Sequence, residues 1–236
     1  MPTWGYGGAL PRTLPGYKDV DDLLVMDNNL SAALAAHSAY LNQFEVGKTV
    51  VFGHYQQDNN TDDEANEIEW VVLSNDGERT TLITVNALDY QPYMNEYSTS
   101  TWETCSLRKW LNDDFLNVAF TEKEKAQLET VTVVADKNPD NPQNRGNDTR
   151  DRVFLLSLQE VKKYFPSDSA RICFPTAYAK AKGAYVGDTG ATCWWLRLSE
   201  NVYGSLGVYD DGTIDYDGVD CIEKDAVRPV IVLRLS

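Results

Sequence analysis

The chain has 236 residues, 42% of them apolar and 24% charged, with 21 Lys and Arg against 36 Asp and Glu for a net charge of −15. This length builds a core of ordinary size without a disulfide or metal staple, and the composition is globular, neither disordered nor membrane-like. So acidic a surface repels phosphate backbones and anionic lipid, which excludes nucleic acid and the membrane surface as partners.

Residues 1–19 are rich in Gly, Pro and Tyr and read as an irregular arm, with neither the basic nor the apolar region of a signal peptide. With no apolar run near the roughly 20 residues of a membrane span, the expected location is cytoplasmic or, by assembly, virion-displayed. Between 20 and 44, Leu23, Leu30, His37 and Phe44 recur every seven residues, and Leu34 and Leu41 follow Leu30 and His37 by four. This is a helix with a narrow apolar stripe. Two readings stand: a helix packed on its own domain, or a homo-oligomerisation element over residues 20–44. The arm and helix form a first region, 1–45, and residues 46–236 the main domain.

From Val46 the texture is β. Thr49 to Gly53 reads as a strand and Gln57 to Asn66 as a polar loop. Ile68–Leu73 and Thr80–Val85 flank Asn75-Asp76-Gly77, a hairpin signal. Thr101 is placed to cap a helix from Trp102, with Leu107, Trp110, Leu111 and Phe115 at helical spacing. Thr121 with Glu124 and Ser157 with Glu160 have capping-box spacing; the second opens a helix to Phe165. Lys137 to Arg152 reads as a polar loop and Val153 to Leu156 as a short strand. After Gly183 come the strand Cys193–Arg197, Asp-Gly turns at Asp211-Gly212 and Asp217-Gly218, and a closing strand Val227–Leu235. The result is an α+β fold whose first and last strands are expected to pair.

Little of this carries catalytic chemistry. His37 lies on the helical stripe and His54 after a strand, and no Ser-His-Asp or Cys-His pairing is suggested. No phosphate-cradling glycine motif is present. Cys105, Cys173, Cys193 and Cys221 have no metal-ligand spacing and read as mostly buried free thiols, with Cys193 and Cys221 the best-placed pair for a bridge. Asp58-Asn59-Asn60-Thr61-Asp62 with Glu69 at the twelfth position has calcium-loop spacing, but Asp63 replaces the required glycine. In the second acidic cluster, Asp210 to Asp220, Gly218 and Lys224 occupy the twelfth positions, where a carboxylate is needed. No catalytic residue, metal or cofactor is expected.

Residues 199–225 are more informative. Tyr203, Tyr209 and Tyr216 are interspersed with Ser199, Asn201, Ser205, Asp210, Asp211, Asp215, Asp217 and Asp220 and with four glycines. Tyrosine gives large contact area at small entropic cost, and Ser, Asn and Gly adapt their polar contacts, as in a paratope. The same composition also serves hairpin turns and strands.

Several stretches together carry a resemblance. They are Val51-Phe52-Gly53-His54-Tyr55-Gln56-Gln57-Asp58, Ile68–Leu73, Trp102–Asn112, Phe154–Ser157, Pro175–Ala179, Cys193–Arg197 and Val227-Arg228-Pro229. In this order, over residues 46 to 235, they resemble a bacterial and phage domain family of unassigned function with a C-type-lectin-like fold. That fold is also used by variable proteins of diversity-generating retroelements, in which a reverse transcriptase randomises adenine-bearing codons between a Trp-Leu-Arg stretch and an Arg-Pro strand. The resemblance implies a non-enzymatic ligand-binding module with a macromolecular, protein-like partner. Carried over by position, its ligand-binding residues are Asn201, Tyr203, Ser205, Tyr209, Asp211, Asp215, Tyr216, Asp217 and Asp220. Trp70, Trp102, Trp110, Trp194, Trp195 and Arg197 are the expected frame. The sugar-binding motifs of calcium lectins are absent. Formylglycine-generating enzymes share the fold, but Cys193 and Cys221 are too far apart to stand for their catalytic pair. The alternatives are a fixed-sequence adhesion or scaffold module and, behind it, such an enzyme.

Overall fold

The computed structural model describes residues 20–60, 62–99, 101–135, 146–199 and 204–235. The chain divides into two units, residues 1–43 and 44–236. The described part of the first holds α1 (Val20–Asn42), whose Ala32, Ala33, Ala35, Ala36 and Ala39 are strong helix formers. No helix among the described residues is long and apolar enough to cross a membrane.

The second unit is α+β, with more strand than helix. It opens with β1 (Thr49–Tyr55), β2 (Asn66–Asn75), β3 (Arg79–Thr84) and β4 (Asp89–Pro92). In β2, Ile68, Trp70 and Val72 are buried while Glu67 and Glu69 are exposed, the two-residue period of a strand with one face on a core. The β2–β3 turn is held by its own side chains: Asn75 Oδ1 accepts from Gly77 N, and Asp76 Oδ1 from Glu78 N and Arg79 N.

Next comes a helical stretch, α2 (Ser106–Trp110) and α3 (Leu116–Ala119), joined by a π-helical turn at Leu111–Phe115. The expected start at Trp102 is four residues early. Thr101 O accepts from Thr104 N and Cys105 N and so closes a separate turn, and Cys105 is the cap, its Sγ accepting from Arg108 N at 3.3 Å. The wider turn lets Leu111 and Phe115 both reach the core. Both capping boxes form: Thr121–Glu124 opens α4 (Glu122–Lys125) and Ser157–Glu160 opens α5 (Leu158–Tyr164).

Between them lie β5 (Val131–Val133), β6 (Thr149–Asp151) and β7 (Val153–Phe154), of which only β7 is among the expected strands. β6 falls inside the expected polar loop. Its Asp151 is buried and accepts from Trp102 Nε1, Arg108 Nε and Thr149 Oγ1, so a charged residue occupies an inward position. After α6 (Asp168–Arg171) and α7 (Ala177–Ala181) come β8 (Trp194–Ser199), β9 (Gly204–Val208), β10 (Ile214–Asp220), β11 (Lys224–Val227) and β12 (Val230–Arg234).

The strands form two five-stranded sheets, in orders β1-β2-β3-β12-β7 and β10-β9-β8-β11-β4, and the pair β5-β6. The closing run is therefore two strands. Pro229, which has no N–H to give a ladder, marks the break, and the run passes from the second sheet to the first. Contrary to expectation, the first and last strands do not pair: β1 is an edge strand, while β12 sits between β3 and β7. Trp70, Trp194 and Trp195 are fully buried, and Trp102 and Arg197 nearly so. All four cysteines are free thiols.

Candidate functional site

The C-terminal sheet fixes a hairpin, β9–β10, against a rigid back. Trp194 and Trp195 of β8 pair with Val208 and Gly207 of β9. Trp194 Nε1 donates to Arg171 O at 3.1 Å, and Trp195 Nε1 to Gln91 O at 2.8 Å, with the Tyr93 ring 5.7 Å away. The tip is locked by local chemistry. Asp211 Oδ1 accepts from Thr213 N and Oγ1, and Tyr209 N donates to Thr213 O. Gly212 has φ +85, and a Cβ there would stand 1.9 Å from Asp168 O, so only glycine lets the tip lie on α6. Arg171 Nε completes the latch by donating to Gly212 O at 2.8 Å.

The expected turn at Asp217-Gly218 is instead a bulge inside β10, where the register against β9 shifts between Asp215 and Val219. The Asp215 carboxylate makes it, its Oδ1 accepting from Asp217 N and Gly218 N at 3.0 Å each.

Beside this hairpin opens a pocket of about 180 Å³. Gly207, Val208 and Val219 give it an apolar wall, Asp215 and Asp225 supply two carboxylates, and Cys193, Tyr185 and Tyr209 close the sides. Gly207 matters by its size: a Cβ would lie 3.2 Å from Trp194 O and 3.5 Å from Asp225 Oδ2. Asp225 is only 5% exposed. Its one hydrogen bond among the described residues is accepted by Oδ1 from Ala226 N at 2.8 Å. Burial raises its carboxyl, the Ala226 amide pulls against that, and the Asp215 charge adds to the rise, which brings it to about 7. Burial, and then the charge of Asp225, push the Cys193 thiol up to about 11. The Tyr209 phenol is raised by burial and by Asp215. Lys224 stands at the pocket wall with its ammonium 6.0 Å from the Tyr90 ring centroid.

The expected binding residues divide. Tyr209 and Tyr216 are 41% and 56% exposed, and Asp211, Asp217 and Asp220 are also exposed, all on or beside one hairpin. The Tyr216 ring lies 5.2 Å below the Lys162 ammonium. Asp215 is buried but lines the pocket. Ser205 is a correction: it is fully buried, its Oγ donating to Leu196 O at 3.2 Å, because every residue of β9 is covered. Asn201 and Tyr203 lie outside the described residues.

Asp225, Cys193, Tyr185 and Lys224 were missed as site residues. The available signal was Asp225 itself, a carboxylate two residues before Val227 and so on the same face of a strand that is otherwise apolar there.

A larger cavity, about 350 Å³, lies beside α2, but its polar groups already serve the helix start. Ser106 Oγ accepts from Asn95 N, Cys105 caps, and Lys109 pairs with Asp113. In the first acidic loop, Asp58 is taken up by Asn60 and Asn66. Among the described residues, no three His, Cys, Asp or Glu side chains converge as metal ligands.

Residues 55–235 match the model of a family described as a domain of unknown function, DUF6273. The chain belongs to the DUF6273 family. The DUF6273 match begins at the last residue of β1 and runs through β12, so it takes in the hairpin and its pocket. No curated protein and no solved structure matches the chain.

Proposed function

We propose that this DUF6273 domain is a non-covalent recognition module that presents the β9–β10 hairpin to a macromolecular ligand, a protein in the simplest case. The observation that carries this reading is the exposure of Tyr209 and Tyr216 together with Asp211, Asp217 and Asp220, on a hairpin whose back is fixed by buried Trp194 and Trp195. Tyrosines are the side chains that most often anchor such contacts, and a rigid back lowers the entropic cost of using them. Within the same proposal, the fold is C-type-lectin-like and the hairpin is the variable segment of a retroelement-diversified protein. Its place between Trp194-Trp195-Leu196-Arg197 and Arg228-Pro229 supports that. The acidic side chains favour a basic or polar partner. Against the enzyme alternative stands the Cys193 thiol, the half-buried one, which burial and neighbouring carboxylates hold in its unreactive protonated form.

The DNA flanking the gene tests diversification. A near-copy of the segment encoding residues 199–235, differing at adenines and lying beside a reverse-transcriptase gene, is the expected finding. Its absence reduces the proposal to a fixed-sequence binding module. The face itself is tested by replacing Tyr209 and Tyr216 together with Ala. Ligand capture is lost while the melting temperature stays nearly unchanged, and unfolding of the double variant would sink the assignment.

A further inference from the structure

The pocket beside the hairpin asks for a specific chemistry. Asp225 is buried in the wall with one carboxylate oxygen engaged by Ala226 N and the other, Oδ2, given no donor among the described residues. A buried carboxylate is normally paired or fully hydrogen-bonded, because removing it from water costs several kcal/mol. The nearest cation along the chain does not supply that pairing. Lys224 lines the same pocket, but its ammonium lies over Tyr90, 6.0 Å from the ring centroid, and it forms no ion pair among the described residues. A second carboxylate, Asp215, faces the same space. The remaining wall is apolar at Val208 and Val219 and aromatic at Tyr185 and Tyr209.

We propose that this pocket receives one basic side chain of the protein ligand, its cationic head seated against Asp225 and Asp215 and its aliphatic stem against Val208, Val219 and the two tyrosine rings. This deepens the recognition reading above and rests on it. A guanidinium is the better occupant. It is planar, more weakly hydrated than an ammonium, able to engage a carboxylate through two N–H donors and to stack on a tyrosine face. A neutral ligand would leave two carboxylates facing each other across a small pocket. A metal ion would find too few ligands. Occupancy depends on pH. The groups facing Asp225 are Asp215 and Tyr209 from the hairpin, Cys193 before β8, Tyr185, and Lys224 and Tyr90 at the rim. Asp225 is the one held near 7, and a cation needs it ionised, so affinity rises with pH through that value.

The test is an NMR titration of the full chain with N-acetyl-arginine methylamide, N-acetyl-lysine methylamide and the uncharged N-acetyl-citrulline methylamide. Saturable shifts of the Gly207, Val208 and Asp225 amides are expected with the cations and not with citrulline. Binding should be at least about tenfold weaker near pH 5.5 than near pH 8, and lost in Asp225→Asn. The tighter of the two cations identifies the side chain that fits. Equal binding of citrulline, no saturable shift with either cation, or unchanged binding in Asp225→Asn overturns the proposal. The pH comparison uses the unaltered chain and so does not depend on how the variant folds. The two proposals fail separately. An empty pocket with tyrosine-dependent capture removes only the cation site. A filled pocket with capture indifferent to Tyr209 and Tyr216 removes only the hairpin face.

Discussion

At the scale of single residues, Asp225 sets function against stability. In the unfolded chain its carboxyl titrates near its ordinary value of 3.8; in the fold it titrates near 7. Between those values the folded state holds a proton that the unfolded state has released. Stability therefore falls as pH rises from about 4 to about 7 and stays reduced above that. Asparagine has the same shape without the charge. Asp225→Asn is expected to raise stability by roughly 2–4 kcal/mol near pH 8 and by almost nothing near pH 4, at 1.4 kcal/mol per pKa unit. Thermal melts at the two pH values check this, and a variant that melts alike with wild type at both would show that Asp225 is paired in solution. In the sequence its one sign of burial is its place two residues before Val227 on a short apolar strand, whereas Tyr209, Asp211, Tyr216, Asp217 and Asp220 advertise themselves by turn chemistry and crowding. The same crowding misplaced Ser205, since composition does not say that a strand is covered on both faces, as β9 is.

At the scale of elements, what was legible is what short-range chemistry decides. The β2–β3 hairpin follows from Asn75-Asp76-Gly77 and the starts of α4 and α5 from their capping boxes. What was hidden depends on distant partners. β6 carries Asp151 inward only because Trp102 and Arg108 meet it there. Asp217-Gly218 reads as a turn, but β9 lies alongside to pair with both flanks and makes it a bulge. The hairpin tip likewise rests on α6 through Gly212 and Arg171. Gly212→Ala would place a methyl group against the Asp168 carbonyl at a positive φ. The cost is roughly 1–3 kcal/mol, concentrated at the tip. Amide exchange is the measurement: Tyr209, Gly212 and Thr213 should lose protection while the Trp195 amide keeps it. Equal loss throughout would mean the tip and the sheet open as one unit.

At the scale of the whole molecule, the net charge of −15 acts beyond any single contact. A ligand bearing a basic side chain for the pocket is drawn in by the long-range field, and salt screens that field with a Debye length of about 10 Å at 0.1 M. Association with such a ligand should slow at least about tenfold between low and moderate salt, with dissociation nearly unchanged, in stopped-flow measurements. A salt-independent association rate would mean the face is read without electrostatic steering.

The placement of β12 carries a consequence for how the chain is made. That strand lies between β3 and β7, and among the described strands it comes last in chain order. Until Val230 to Arg234 leave the ribosome, β3 and β7 have no neighbour to join them, and the first sheet cannot close. Closure over so long a sequence separation is intrinsically slow. The nascent domain therefore emerges with its second sheet's hairpin already synthesised and its first sheet open, its unpaired strand edges exposed for those moments. A chain ending at Pro229 should fail to reach the native near-UV circular dichroism, although it holds all the other described strands.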